Sequence, residues 1–271
     1  MVDGLSLGPL FMPYPRLFLL LSVAGMLGVG YVLERRTGRQ LSNALWLVLL
    51  GGLVIGRLGY VVQQWDFYRD HPLQALYLWQ DGYAIGFAIG GGVLTALILA
   101  LLRRPRSWLL APPVAAGIAL WFGLTMAAPQ AGHDGPGIPP LVLDNTDGER
   151  IPLQGFQGEP LVLNLWATWC PPCRREMPAF QAASADRDDV QFVFGNQGES
   201  ADDVHAYLDD EELRLEHVLL DTGSELSSHF GAHGMPLTLF FAADGSLHDV
   251  HVGEVSAARL HQYLRDLTNE Q

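Results

Sequence analysis

The chain has 271 residues, 49% of them hydrophobic, and a formal net charge of −13 that is spread unevenly. Residues 1–130 hold nine Arg against five acids, whereas residues 131–271 hold seven Arg against 24 acids, so one half suits lipid and the other water. All 16 basic residues are Arg, which excludes lysine chemistry such as a Schiff base, and so acidic a water-facing half would repel phosphate, which excludes nucleic acid as a partner.

In chain order, apolar runs at 17–33, 44–62, 83–102 and 108–128 each approach the ~20 residues that cross the hydrocarbon core as a helix. An N-terminal four-helix transmembrane domain, residues 1–128, is therefore expected, with the lipid bilayer as its partner. The loop with Glu34, Arg35, Arg36 and Arg39 and the loop with Arg103, Arg104 and Arg106 are Arg-rich, so the positive-inside rule makes both cytoplasmic. The middle loop, 65–82, carries Asp66, Asp70 and Asp81 against Arg69, and its Trp65, Phe67, Tyr68, Tyr77 and Trp79 suit an interfacial belt. It belongs outside. Both termini then lie outside, which puts residues 131–271 in the periplasm or an equivalent compartment; the expected location is a bacterial inner membrane, as a multi-pass protein.

Two alternatives attach to the spans. The first resembles a signal peptide only weakly, because Arg16 alone precedes it and a basic cluster follows. The fourth, with Arg103–Arg106 before it and Met126-Ala127-Ala128-Pro129-Gln130-Ala131 after it, has the pattern of a signal sequence with a cleavage site.

The segment Gly56-Arg57-Leu58-Gly59-Tyr60-Val61, then His71-Pro72-Leu73 and Trp79-Gln80-Asp81-Gly82, resembles the bacterial prolipoprotein diacylglyceryl transferase family over about residues 15–105. Arg57 stands at the Arg of that family's G-x-R-L-G-Y motif. Where the family has His-Gly-Gly, the chain reads Gly86-Phe87-Ala88, and the later signature with Arg and Asn is missing. The resemblance implies a degenerate, truncated relative that serves as an anchor, a lipid-binding element or a docking surface. Arg57 is the candidate residue of this half, since intramembrane charges are usually functional; the alternative is an Arg that snorkels or pairs with Asp66.

Residues 129–140 contain four prolines and three glycines together with His133 and Asp134, the composition of a linker. From 141 to 271 the rhythm is that of an α/β domain. Strand 141–143 and a turn at 144–148 lead through 151–158 to the apolar run 160–166, which suits a strand buried on both faces. Helices are expected at 171–185, 202–209, 225–230 and 256–267, and strands at 190–194, 217–220, 237–242 and 247–252, giving a mixed sheet flanked by helices.

The two cysteines, Cys170 and Cys173, are three apart, too close to staple a loop, so their use is local. Neither follows an N-terminal apolar run, so no lipid-modified cysteine is expected. Cys170 falls at a strand-to-helix junction, where free backbone N–H groups and the helix dipole stabilise a thiolate. Cys170 is therefore the nucleophile and Cys173, one turn on, the resolving thiol. Pro171 fits the first helical turn, and the two prolines stiffen the loop. A zinc site is the alternative, but it needs four ligands, and His229 and His233 are separated by Gly231 and followed by Gly234. No metal and no cofactor are expected.

The stretch Trp166-Ala167-Thr168-Trp169-Cys170-Pro171-Pro172-Cys173-Arg174-Arg175-Glu176-Met177-Pro178 resembles the membrane-anchored, thioredoxin-like reductases of the cytochrome c maturation and ResA/TlpA type, over about residues 138–268. The resemblance implies a thioredoxin-like fold. Gly234-Met235-Pro236-Leu237-Thr238 matches the family loop whose cis-proline faces the cysteines, so Pro236 joins the catalytic set, while Met235 and Trp169 are candidates for binding substrate. Glu176 matches the family's acidic residue one turn after the second cysteine, where a partly buried carboxylate would carry a proton for Cys173; the alternative is a solvated glutamate paired with an Arg. Asn164 stands where ordinary thioredoxins have a buried Asp, which removes that proton route.

The resemblance implies a periplasmic disulfide reductase acting on oxidised periplasmic protein substrates. Residues 1–130 lack cysteine, so a separate membrane electron donor of the DsbD/CcdA type is implied. The other readings are a disulfide oxidase or isomerase, a module that delivers Cu(I) on its paired thiolates, and a lipid-modifying enzyme with a redox appendage.

Overall fold

The computed structural model describes residues 4–7, 10–78, 81–102, 107–128, 135–232 and 234–269. Arg103–Arg106, Trp79, Gln80, His133, Asp134 and His233 lie outside the described residues, as do the first six residues of the expected linker, 129–134. The chain divides into two compact units, Met12–Pro129 and one made mainly of Gln130–Gln271.

A two-stranded sheet, β1 (Gly4–Leu7) and β2 (Leu10–Pro13), opens the chain and was given no strand pattern by the sequence. Helices α1 (Tyr14–Thr37), α2 (Ser42–Gln63), the short α3 (Trp65–Asp70), α4 (Ile85–Leu102) and α5 (Ala111–Ala127) follow, with 3-10 turns at Pro72–Leu76 and Ser107–Leu110. Four helical stretches among the described residues, Tyr14–Thr37, Ser42–Gln63, Ile85–Leu102 and Trp108–Ala127, are long and apolar enough to cross a membrane. Their outward side chains include Leu19, Trp46, Leu50, Leu97 and Phe122, all exposed, as lipid-facing positions require.

In this unit α2 packs on α4 and α1 on α5. The α2–α4 contact depends on residues without side chains: a Cβ at Gly52 would stand 2.9 Å from the Ala88 carbonyl oxygen, and one at Gly56 2.8 Å from the Ala88 Cβ. Close backbone approach of this kind is what helix pairs in lipid use, where apolar burial gives them little drive to associate.

The second unit is a seven-stranded mixed sheet in the order β4-β3-β7-β6-β5-β8-β9. Its strands are β3 (Val142–Asn145), β4 (Arg150–Pro152), β5 (Leu161–Trp166), β6 (Gln191–Gln197), β7 (Val218–Asp221), β8 (Leu237–Phe241) and β9 (Leu247–Val252). Strands β5, β6 and β7 run parallel, and the β3, β4, β8 and β9 pairings are antiparallel. Helices α6 (Pro171–Asp186), α7 (Ala201–Asp210), α8 (Glu225–Phe230) and α9 (Ala257–Asn269) cover the two faces. This is the thioredoxin-like fold.

Every side chain of β5 is buried, and alternate residues serve opposite faces. Leu161, Leu163 and Leu165 join Phe156, Leu226 and Phe230 on one side, while Val162 and Trp166 join Met177, Phe180, Leu260 and Leu264 on the other. Asn164, in step with Val162 and Trp166, therefore points toward α6. The expected linker differs in its second part. Residues 135–140 have no regular structure, yet Ile138 is buried and its N–H donates to the Gly245 carbonyl at 3.2 Å, so this stretch lies on the sheet instead of hanging free.

Candidate active site

Strand β5 ends at Trp166 and hands the chain through residues 167–170 to α6, which places Cys170 at the N-cap of a 16-residue helix with prolines at its first two positions. The Cys170 sulfur accepts the Cys173 N–H at 3.3 Å. The two cysteines form a disulfide across a Cα–Cα distance of 5.3 Å. Cys173 is fully buried and Cys170 is 4% exposed, while the neighbouring Trp169 is 65% exposed. Cys170 is thus nearly covered, next in the chain to an exposed indole.

The approach to Cys170 is tied down from another element, which the sequence did not signal. Glu199, between β6 and α7, accepts from the Thr168 N–H at 2.7 Å and the Thr168 hydroxyl at 2.5 Å, and from Asn196 Nδ2 at 2.7 Å. The Met235–Pro236 bond is cis. Pro236 is buried, and the half-buried Met235 packs on the same apolar cluster as both cysteines.

Glu176 is 1% exposed, more deeply buried than the sequence suggests. Its Oε1 accepts from Asn164 Nδ2 at 2.9 Å and its Oε2 from the Val255 N–H at 2.8 Å. Burial pushes its pKa up to about 8 and the nearby Glu254 adds to this, while the Val255 and Asn164 donors and Arg175 pull it down. A carboxyl balanced in this way can hold or release a proton near neutral pH. The solvated alternative with an Arg partner does not describe it. The arginines after Cys173 pair elsewhere: Arg174 with Glu211, and Arg175 with Glu254 at 2.6 Å, both at the surface.

Arg57 belongs to the other unit, Met12–Pro129. It is 4% exposed, and its guanidinium donates to five backbone carbonyls of the α3–α4 connection. Nη2 reaches Gln74 O at 2.9 Å and Tyr77 O at 3.3 Å, Nη1 reaches Gly82 O at 3.0 Å and Asp81 O at 3.3 Å, and Nε reaches Ala75 O at 3.2 Å. Its five donors meet five acceptors. The rings of Tyr68 and Tyr83 lie 5.6 and 5.8 Å from the guanidinium carbon. Arg57 is thus committed to loop carbonyls, and the pairing with Asp66 is not formed.

The chain matches two family models: Redoxin over residues 130–267 and prolipoprotein diacylglyceryl transferase over residues 13–125. The thiol-disulfide oxidoreductase ResA of Bacillus subtilis (strain 168) is 29% identical over 145 residues, covering 53% of this chain and 80% of that protein. The thioredoxin-like protein YneN of the same strain is 30% identical over 136 residues, covering 49% of this chain and 79% of its own length. The phosphatidylglycerol–prolipoprotein diacylglyceryl transferase of Trichormus variabilis is 41% identical over 108 residues, but this chain spans only 38% of that enzyme. With an N-terminal half similar to part of the diacylglyceryl transferases, and with its only two cysteines joined at the start of α6, the chain belongs to the Redoxin family as a thioredoxin-type thiol-disulfide oxidoreductase.

Proposed function

We propose that the protein is a membrane-anchored disulfide reductase whose redox unit works in the periplasm of a bacterium, with its four spans in the inner membrane. The observation that carries this reading is the combination of a nucleophile-position cysteine at the N-terminus of α6 with a buried, protonatable Glu176 on the same helix. The acidic composition of residues 131–271, the acidic middle loop and the Arg-rich Glu34–Arg39 connection support the orientation.

In the reduced enzyme the Cys170 thiolate, stabilised by the helix N-terminus, attacks a substrate disulfide. Its sulfur bonds one substrate sulfur, and the other leaves as a thiolate. Cys173 then gives its proton to ionised Glu176 and attacks the Cys170 sulfur. The Cys170–Cys173 disulfide closes, the second substrate thiolate departs, and two electrons have passed to the substrate. A pKa near the working pH suits a group that must take up and return that proton. Exposed Trp169 and the backbone of Met235, beside cis Pro236, present an edge for an extended substrate peptide. Residues 1–130 contain no cysteine, so a separate membrane dithiol of the DsbD/CcdA type supplies the electrons.

The midpoint potential of the full chain, equilibrated in detergent against dithiol buffers, tests the direction. A value near or below about −270 mV supports a reductase, whereas one near about −120 mV makes the protein an oxidant and overturns the proposal.

A further inference from the structure

Both oxygens of Glu176 face donors, Asn164 Nδ2 on one side and the Val255 N–H on the other. That arrangement fits a carboxylate. A carboxylic acid carries its O–H on one of the same two oxygens and needs an acceptor there. The Val255 N–H is backbone and cannot reverse its polarity. Asn164 can, because its side-chain amide carries an acceptor and a donor on one rotor.

The surroundings of Asn164 are built for that reversal. It is fully buried, and Nδ2 also donates at 3.1 Å to the hydroxyl of Thr238, its partner in the β5–β8 register. Its Oδ1 is buried and has no hydrogen-bond partner among the described residues. Half a turn about the Cβ–Cγ bond exchanges the two ends of the amide. Oδ1 then accepts from the Glu176 Oε1–H and from the Thr238 hydroxyl, which changes from acceptor to donor, while Nδ2 takes the position that Oδ1 held.

We propose that Asn164 is the positioning residue for the Glu176 proton: its amide presents Nδ2 to the ionised carboxylate and turns Oδ1 to the protonated one, holding the proton on Oε1. The inference rests on the reading of Glu176 given above only for its bearing on the cysteines. The charged groups around the carboxyl are Glu254, ahead of α9, and Arg175 on α6, which pair with each other. Strands β5 and β8 carry no ionisable side chain, and Arg259 of α9 lies over the Tyr263 ring at 5.1 Å.

The test uses the oxidised full chain in detergent, with ¹⁵N on the asparagine side-chain amides and ¹³C on the glutamate carboxyls. The Asn164 signal is assigned by its loss in Asn164→Ala. The Asn164 amide resonances are expected to move with pH at the same midpoint as the Glu176 carboxyl carbon. In Glu176→Gln, whose new amide needs an acceptor facing it, they are expected to sit at their low-pH position at every pH. An Asn164 signal that ignores the carboxyl titration, or that stays at its high-pH position in Glu176→Gln, overturns the proposal. Failure of the shuttle reading shows separately, as thiol exchange that Glu176→Gln leaves unchanged, and coincident titration of the two signals still establishes the turning.

Discussion

The Val255 N–H lies 2.8 Å from the Glu176 Oε2, so the chain just before α9 is fastened to the buried carboxyl of the cysteine-bearing helix. The same carboxyl is held far above its ordinary pKa of 4.5, at about 8, chiefly by burial. Between those values the folded state keeps a proton that the unfolded state releases, so the stabilisation is complete below pH 4.5 and lost as the pH rises through 8. Hydrogen-exchange protection of the β5 and α6 amides should therefore fall from pH 5 to pH 8. At about 1.4 kcal/mol per pKa unit the full effect is bounded by ~5 kcal/mol. Glu176→Gln should flatten the profile and be the more protected protein at pH 8; a flat wild-type profile would contradict the assignment.

The depths of the two sulfurs predict which cysteine variant traps a complex. Cys170 is the outer sulfur, at the helix N-cap, and Cys173 is sealed beneath it. Cys173→Ser should accumulate a mixed disulfide between Cys170 and substrate protein, seen as a thiol-sensitive band of higher mass on a non-reducing gel. Cys170→Ser should give no such band and should lower disulfide reduction by at least about 10³-fold, a barrier increase of ~4 kcal/mol. Trapping through Cys173 instead would reverse the two roles.

Much of this architecture is legible in the sequence, because the strongest signals are local. Four apolar runs of helical length become four helices of that length, and the alternation after residue 141 becomes a sheet with flanking helices. The active-site contacts are not local. Asn164 reads as the loss of an acid, but the register that sets it opposite Thr238 and the helix that swings Glu176 over it make it that glutamate's partner. Glu199 lies 31 positions from Thr168, in a loop whose sequence carries no sign of the contact. Arg57 stands out as a charge in an apolar run, yet its five acceptors are main-chain carbonyls, which residue identity does not encode. The short β1–β2 sheet has no clear two-residue alternation to announce it.

The Glu199 carboxylate holds the backbone two residues before Cys170 by its bonds to Thr168. Hydrogen bonds to a charged group contribute about 1.5–3 kcal/mol each, and losing this set leaves a Thr168 N–H without its partner. Glu199→Ala should destabilise the redox unit by at least about 2 kcal/mol and raise the alkylation rate of Cys170 in the reduced protein. Glu199→Gln should be milder, since an amide oxygen can still receive the Thr168 and Asn196 N–H groups. Equal behaviour of the two variants in urea denaturation and iodoacetamide trapping would mean that the carboxylate does not set the loop.

In the membrane unit the corresponding prediction concerns Arg57. The connection it holds turns five main-chain carbonyls onto one guanidinium, and carbonyls gathered in this way need a donor in the protein. Arg57→Leu removes donors to five carbonyls at once. Arg57→Lys restores only three N–H groups from a compact ammonium, which cannot span the same set of carbonyls. At about 1–3 kcal/mol for each buried group left unpaired, even partial loss should release residues 74–77 and 81–82 from Arg57. Protease cleavage within that connection, measured on the full chain in membranes, should rise in the order wild type, Arg57→Lys, Arg57→Leu. Because the guanidinium contacts lie wholly within this unit, the midpoint potential of the Cys170–Cys173 couple should stay unchanged in both variants, which separates a role in holding the loop from one in redox chemistry.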